Sequence, residues 1–262
     1  MTDRMNRVLA RMGKLDRPYT DGINRFHAPA DLGGCGGDFS REALERVHAV
    51  MMDDLAGRSD GSGRFRPSLI GDACLRKILL SYHGAPQLSP SADDVDLMNA
   101  GTWRHYYNQA AGLTEGFLAE IEEPLFLDGI RYGQADGRLS DGTLFEFKST
   151  RSRVYSIIVL DKGRPKRDHQ FQLHASMRAM GVRLASLVYE DRDNLRRHEF
   201  RQSWDDAVGQ ELDQRLEILT GHVENKTLPK MLDDCARGVG TTYQQCQWRE
   251  VCPLWSYRRN DE

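Results

Sequence analysis

Residues 134–149, QADGRLSDGTLFEFKS, decide how this chain folds. Ser140, Asp141 and Gly142 interrupt two runs of strand formers, and Asp-Gly is a strong hairpin signal. With Gly142 in the left-handed position of a three-residue loop, Leu139 pairs with Thr143. Counting back along both strands sets Asp136 opposite Glu146 on one face, with Cβ atoms about 5 Å apart. Lys148, two residues past Glu146, shares that face. Like charges directly opposite one another destabilise a hairpin, so something must compensate. A divalent cation with the Lys148 ammonium alongside does so. Mg²⁺ and Mn²⁺ take carboxylate oxygens, polarise phosphoryl oxygens and acidify water. An adjacent lysine orients that water or steadies charge developing on phosphorus. Together these groups suit phosphodiester hydrolysis. The alternative is a solvated hairpin whose Glu146 and Lys148 form a surface ion pair of little worth. Leu144, Phe145, Phe147 and the apolar residues 157–160 point to a central strand instead.

Working outward, residues 123–149 read as a three-strand meander. On the N-terminal side, Leu44, Val47, Met51 and Leu55 recur at helical spacing, which predicts a helix over 40–55. A second helix follows Pro67 and Ser68, carries Cys74, Arg76, Ile78 and Leu79, and ends at 84–86. A third covers 94–111 and carries Gly101 and His105. On the C-terminal side the pattern predicts a helix over 168–180 stopped by Gly181, and strands at 184–189 and 195–200. A long helix then runs from 203 or 204 to 223. The order of elements indicates an α+β or mixed α/β core with helices on the flanks. Residues 1–65 read as a helical or flexible extension, 66–230 as the core, and 231–262 as a small cysteine-rich lobe.

With 39% hydrophobic and 29% charged residues, the chain is neither disordered nor a membrane bundle. A net charge of -3 excludes a globally basic nucleic-acid wrapper, although a local basic groove remains open. No run is long and apolar enough to span a bilayer and no secretory signal is evident, so a cytoplasmic location is expected. Outside the hairpin, a neutral His105 imidazole could complete the metal shell, its alternative being a histidine at the core edge. Arg151, Arg153, Lys162, Arg164, Lys166 and Arg167 form a strip suited to tracking DNA phosphates, or else a solvated loop. Gln172, on the following helix, could bond a phosphate or the attacking water.

Cys235, Cys246 and Cys252 lie in the C-terminal lobe, the last followed by Pro253 as in many iron–sulfur sites. Cys74 is the fourth candidate, while Cys35 sits in a glycine loop and reads as free. None of the four has a partner two to four residues away, as zinc knuckles usually do. An iron–sulfur cluster is the leading reading, with zinc or buried thiols as alternatives.

In order along the chain come SLIGDACLR (68–76), GTWRH (101–105), GQADGR (133–138), LFEFKST (144–150), HQFQLHASMRAMG (169–181) and the three-cysteine lobe. This ordered set resembles the RecB-like, CRISPR-associated type of exonuclease in the PD-(D/E)xK nuclease superfamily, including phage-encoded members, over about residues 66–256. The resemblance implies an α/β, restriction-endonuclease-like core with a mixed central sheet flanked by helices. It also implies metal-dependent cleavage of DNA from an end, typically on single strands, and a structural [4Fe–4S] cluster. It implies Mg²⁺ or Mn²⁺ held by His105, Asp136, Glu146 and the Phe147 carbonyl. Lys148 takes the place of the catalytic lysine and Gln172 that of the motif glutamine. Cys74, Cys235, Cys246 and Cys252 take the places of the cluster ligands. A second expectation is a DNA-end-binding subunit of a recombination or spacer-acquisition complex. The third is a zinc-stapled interaction protein.

Overall fold

The computed structural model describes Tyr19, Ile23 and residues 38–55, 62–127 and 130–255. Cys35 and the first eighteen residues lie outside these. In chain order the elements are helices α1 (Arg41–Leu55), α2 (Pro67–Ile70), α3 (Leu75–Tyr82) and α4 (Ala92–Thr114), then strands β1 (Leu118–Leu127), β2 (Ile130–Leu139) and β3 (Leu144–Thr150). Helix α5 (Ser152–Ser156) runs on into a π-helical turn, Ile157–Lys162. Helix α6 (Arg167–Met180), strands β4 (Leu184–Asp191) and β5 (Arg197–Ser203), helix α7 (Asp206–Glu224) and two short helices, α8 (Asp233–Ala236) and α9 (Gly240–Gln244), complete the set. None of the described helices is long and apolar enough to cross a membrane.

The chain divides into two compact units. The first comprises residues 1–57, 98–166 and 176–204 and holds the whole sheet. Its strands run in the order β1-β2-β3-β4-β5, which puts β3 at the centre. Neighbours are antiparallel except β3 and β4, whose parallel pairing follows from the long helical connection between them. The sheet is therefore mixed, as the family resemblance implies. Phe145 and Phe147 of β3 pack with Leu139, Val188, Ala111, Phe117 and Leu118 in one core. Tyr19 stacks on Phe145 at 4.7 Å between ring centroids. Ser40 caps α1 by accepting the Ala43 N–H at 3.1 Å, an interaction worth about 1 kcal/mol.

The decisive hairpin forms as its loop chemistry predicts. Gly142 has φ 85°, the Leu139 N–H donates to the Thr143 carbonyl, and the Gly142 N–H donates to that of Leu139. Gly137 pairs with Phe145 and Arg138 with Leu144, and there the β2–β3 ladder stops. Gly137 also lets β1 approach closely, because a Cβ there would lie 2.6 Å from the Glu120 carbonyl oxygen. Gly137→Ala is expected to cost about 1–3 kcal/mol through overpacking, seen as a lower Tm. An unchanged Tm would show that β1 can move away freely.

The second unit comprises residues 58–97, 167–175 and 205–262. The stretch after Pro67 forms two short helices rather than the single one its pattern suggests. The break falls at Gly71, where a Cβ would lie 2.7 Å from the Asp168 Cα and carbonyl oxygen. Arg215 of α7 donates to the carbonyls of Ile70 and Asp72 across this break. The C-terminal residues share the core of this unit. Trp248 is fully buried with Leu80 and Ala85, and its indole N–H donates to the Ala85 carbonyl at 3.0 Å.

Candidate active site

The turn at Gly142 sets the β2–β3 register, and that register positions the site. Continuing the pairs Gly137/Phe145 and Arg138/Leu144 by one residue puts Asp136 level with Glu146. No backbone bond joins them there. Instead the Phe147 N–H donates to Asp136 Oδ2 at 2.7 Å. The carboxylate thus replaces a ladder partner and holds the two strands at the point where they separate. Phe147 itself is buried and meets the His105 ring edge-on at 6.1 Å. Lys148 shares a face with Glu146, and its Nζ lies 2.6 Å from Glu146 Oε1. Glu146 is 1% exposed and the lysine 23%. Burial and the nearby Asp136 charge push the Glu146 carboxyl up to about 7, against the pull of Lys148 and His105.

Helix α4 brings His105 to this cluster. Its Nδ1 lies 3.8 Å from Asp136 Oδ2 and its Nε2 2.8 Å from Glu122 Oε1. Burial opposes a charged imidazole, but the Asp136 charge and the Glu122 bond and charge outweigh it and raise His105 to about 9. Among the described residues, His105, Glu122 and Asp136 are the one group of three metal-ligating side chains whose donor atoms all lie within 4.8 Å of one another.

Two members of this cluster are absent from the sequence reading. Gln109 lies four residues after His105, one helical turn along the same face, so helical spacing could have found it. It is fully buried, and its Nε2 donates to Glu122 Oε1 and to the Asp136 carbonyl, each at 2.9 Å. Glu122 carries no such signal. It falls between the pairs Ile121/Gly137 and Glu123/Ala135, level with Asp136. It adopts φ 48°, a left-handed backbone costing a non-glycine residue about 1–3 kcal/mol.

The remaining candidates lie on other elements. Arg151, Arg153, Lys162, Arg164, Lys166 and Arg167 are all exposed, between the end of β3 and the first turn of α6. Arg167 pairs with Glu211 and stacks over the Phe171 ring at 4.7 Å. Gln172 lies in the part of α6 that belongs to the second unit.

Cys74, Cys235, Cys246 and Cys252 are unbridged and line one cavity in the second unit, together with Arg76 and Tyr243. Their sulfurs do not converge as the ligands of one ion would, since no cysteine belongs to a group within 4.8 Å among the described residues. The expected iron–sulfur lobe is thus not present as a compact sulfur cluster, and residues 231–255 pack into a larger unit. Spacing along the chain gave no measure of how widely the side chains would stand apart. Burial raises the Cys74 and Cys235 thiols, and the neighbouring cysteines add to this. Arg76 Nε–H donates to Cys252 Sγ at 3.1 Å, while its other nitrogens donate to the carbonyls of Cys252 and Pro229.

No family model matches this sequence, and no curated protein matches it. Among similar solved structures is LHK-Exo in complex with dAMP, at 20% identity and a TM-score of 0.49 over 62% of this chain and 89% of that one. Another is an alkaline exonuclease (LHK-Exo) from Laribacter hongkongensis, at 17% identity and 0.46, over 69% and 93%. A third is SSO0001, at 16% identity and 0.44, over 80% and 96%.

Proposed function

We propose that the chain is a metal-dependent deoxyribonuclease acting from DNA ends. The observation that carries this reading is His105 of α4 beside Asp136 of β2, with Glu146 of β3 level with Asp136 and paired to Lys148. Carboxylate and imidazole donors of this kind suit Mg²⁺ or Mn²⁺. His105, Asp136 and Glu146 would hold the ion, with the Phe147 carbonyl completing the protein's share. When bound, it would polarise a phosphoryl oxygen and acidify water. Lys148, steadied by Glu146, would orient the attacking water and meet charge developing on phosphorus. Asp136 performs two tasks, ligation and clamping the Phe147 backbone. The exposed basic residues 151–167 would bind phosphates along the strand, and Gln172 is assigned to substrate.

The four-cysteine cavity supports a [4Fe–4S] cluster as a staple within the second unit. A zinc site packs four ligands about 2.3 Å from a single ion. A cubane spreads its thiolates over four irons, so its cysteines need not converge on one ion. Anaerobic preparations should contain about four irons and four sulfides per chain. Zinc, or no metal, would overturn the cluster assignment and leave the nuclease reading intact.

The test of the nuclease is incubation of the purified chain with end-labelled linear DNA and a matching closed circle, in Mn²⁺. Progressive release of nucleotides from the linear form alone is expected. Binding of ends without cleavage would favour an end-binding subunit instead.

A further inference from the structure

Glu122 has no role in the reaction as described, yet it sits in strained backbone with its carboxylate against the ring of a proposed ligand. We infer that Glu122 is the positioning residue for His105, accepting the Nε2 hydrogen and thereby turning Nδ1 toward Asp136. The inference rests on the nuclease reading of the site.

The two nitrogens of His105 face different partners. Nε2 lies 2.8 Å from Glu122 Oε1, a hydrogen-bond distance to an atom that only accepts. Gln109 Nε2 also lies 2.8 Å from His105 Nε2, but its two hydrogens go to Glu122 Oε1 and the Asp136 carbonyl. A bare His105 Nε2 lone pair would then face the Glu122 lone pair, so the contacts together select the form with hydrogen on Nε2. Nδ1 lies 3.8 Å from Asp136 Oδ2, too far for a hydrogen bond. Adjacent ligands of one octahedral cation, each about 2.1 Å from it, stand about 3 Å apart, so the two groups need to close by less than about 1 Å to share an ion. Metal-bound histidines commonly donate their second N–H to a carboxylate, which fixes ring orientation.

Gln109 secures the arrangement from behind. Its Nε2 donates both to Glu122 Oε1 and to the Asp136 carbonyl. It thereby ties the orienting carboxylate of β1 to the backbone of the ligand-bearing β2. The left-handed backbone of Glu122 sits in the ladder level with Asp136, where strand regularity alone would not require it.

Mn²⁺ binding to the full chain, followed by electron paramagnetic resonance of the free ion, tests the assignment. His105→Ala and Glu122→Ala are each expected to weaken Mn²⁺ binding by about 10- to 100-fold. Glu122→Gln should stay within about threefold of the unaltered chain, because its amide oxygen still accepts the Nε2 hydrogen. Unchanged affinity in Glu122→Ala would overturn the inference. So would a Glu122→Gln loss as large as that of alanine, which would make Glu122 a direct ligand. If His105→Ala binds Mn²⁺ normally, the site reading itself fails. Should Glu122→Ala not fold, long-range ¹H–¹⁵N spectra of the Mg²⁺-loaded unaltered chain decide. Hydrogen on His105 Nε2 supports the role, and hydrogen on Nδ1 overturns it.

Discussion

Lys148→Ala is expected to lower the cleavage rate by about 10²–10³-fold, the usual loss when one preorganised electrostatic group is removed. DNA affinity should stay within a few-fold, because the exposed basic residues between 151 and 167 are untouched. The loss has two sources. Water and the developing phosphorane lose their cation, and Glu146 loses an ammonium 2.6 Å away. Burial already pushes Glu146 up to about 7, so without Lys148 the carboxyl keeps its proton more readily and makes a poorer ligand. Asp136→Asn separates ligation from clamping. Its amide oxygen still accepts the Phe147 N–H, so the fold should survive while metal-dependent cleavage is lost. Rates on end-labelled DNA and anisotropy with labelled oligonucleotide check both. Normal metal-dependent activity in either variant would remove these residues from the site.

The second large effect is on pH. In the metal-free protein His105 stands at about 9 and Glu146 at about 7. Both must lose protons before they can ligate a cation, so metal binding competes with protonation. Between pH 7 and 9 one proton is displaced, and apparent affinity should rise about tenfold per pH unit. Below pH 7 two are displaced and the slope steepens; above 9 it flattens. Initial rates at scarce Mn²⁺ should follow this profile, and at saturating Mn²⁺ the rise should move to lower pH. Stability without metal runs the other way. Both folded pKa values are raised, so their contribution is complete below the unfolded values and is lost as pH climbs through about 7 and then about 9. Melting curves without divalent cation should therefore fall across that window, and added Mn²⁺ should restore Tm. A flat rate profile at scarce metal would contradict the assignment.

Much of this site was legible in the chain. The Ser140-Asp141-Gly142 loop dictated its own geometry, because Gly142 tolerates φ 85° where other residues do not. Once that turn was placed, the period of two along a strand carried Asp136, Glu146 and Lys148 to one face. His105 followed from helical pattern and motif order. Glu122 was hidden because left-handed backbone at a glutamate has no local signature and is imposed by packing against β2. The break at Gly71 was hidden for a similar reason. It answers to a close approach by Asp168, nearly a hundred residues away in sequence, and the local pattern favoured one continuous helix. The cysteines show a third kind of limit. Their identities could be read in order, but whether three of their sulfurs converge is a property of the folded unit.

If His105, Asp136 and Glu146 hold one divalent cation, crystals soaked in Mn²⁺ will show it by anomalous diffraction. A single strong peak bounded by His105 Nδ1 and the carboxylates of Asp136 and Glu146 is expected. No peak there, with the three side chains unchanged at saturating Mn²⁺, would mean that these residues are not the ligands of one ion.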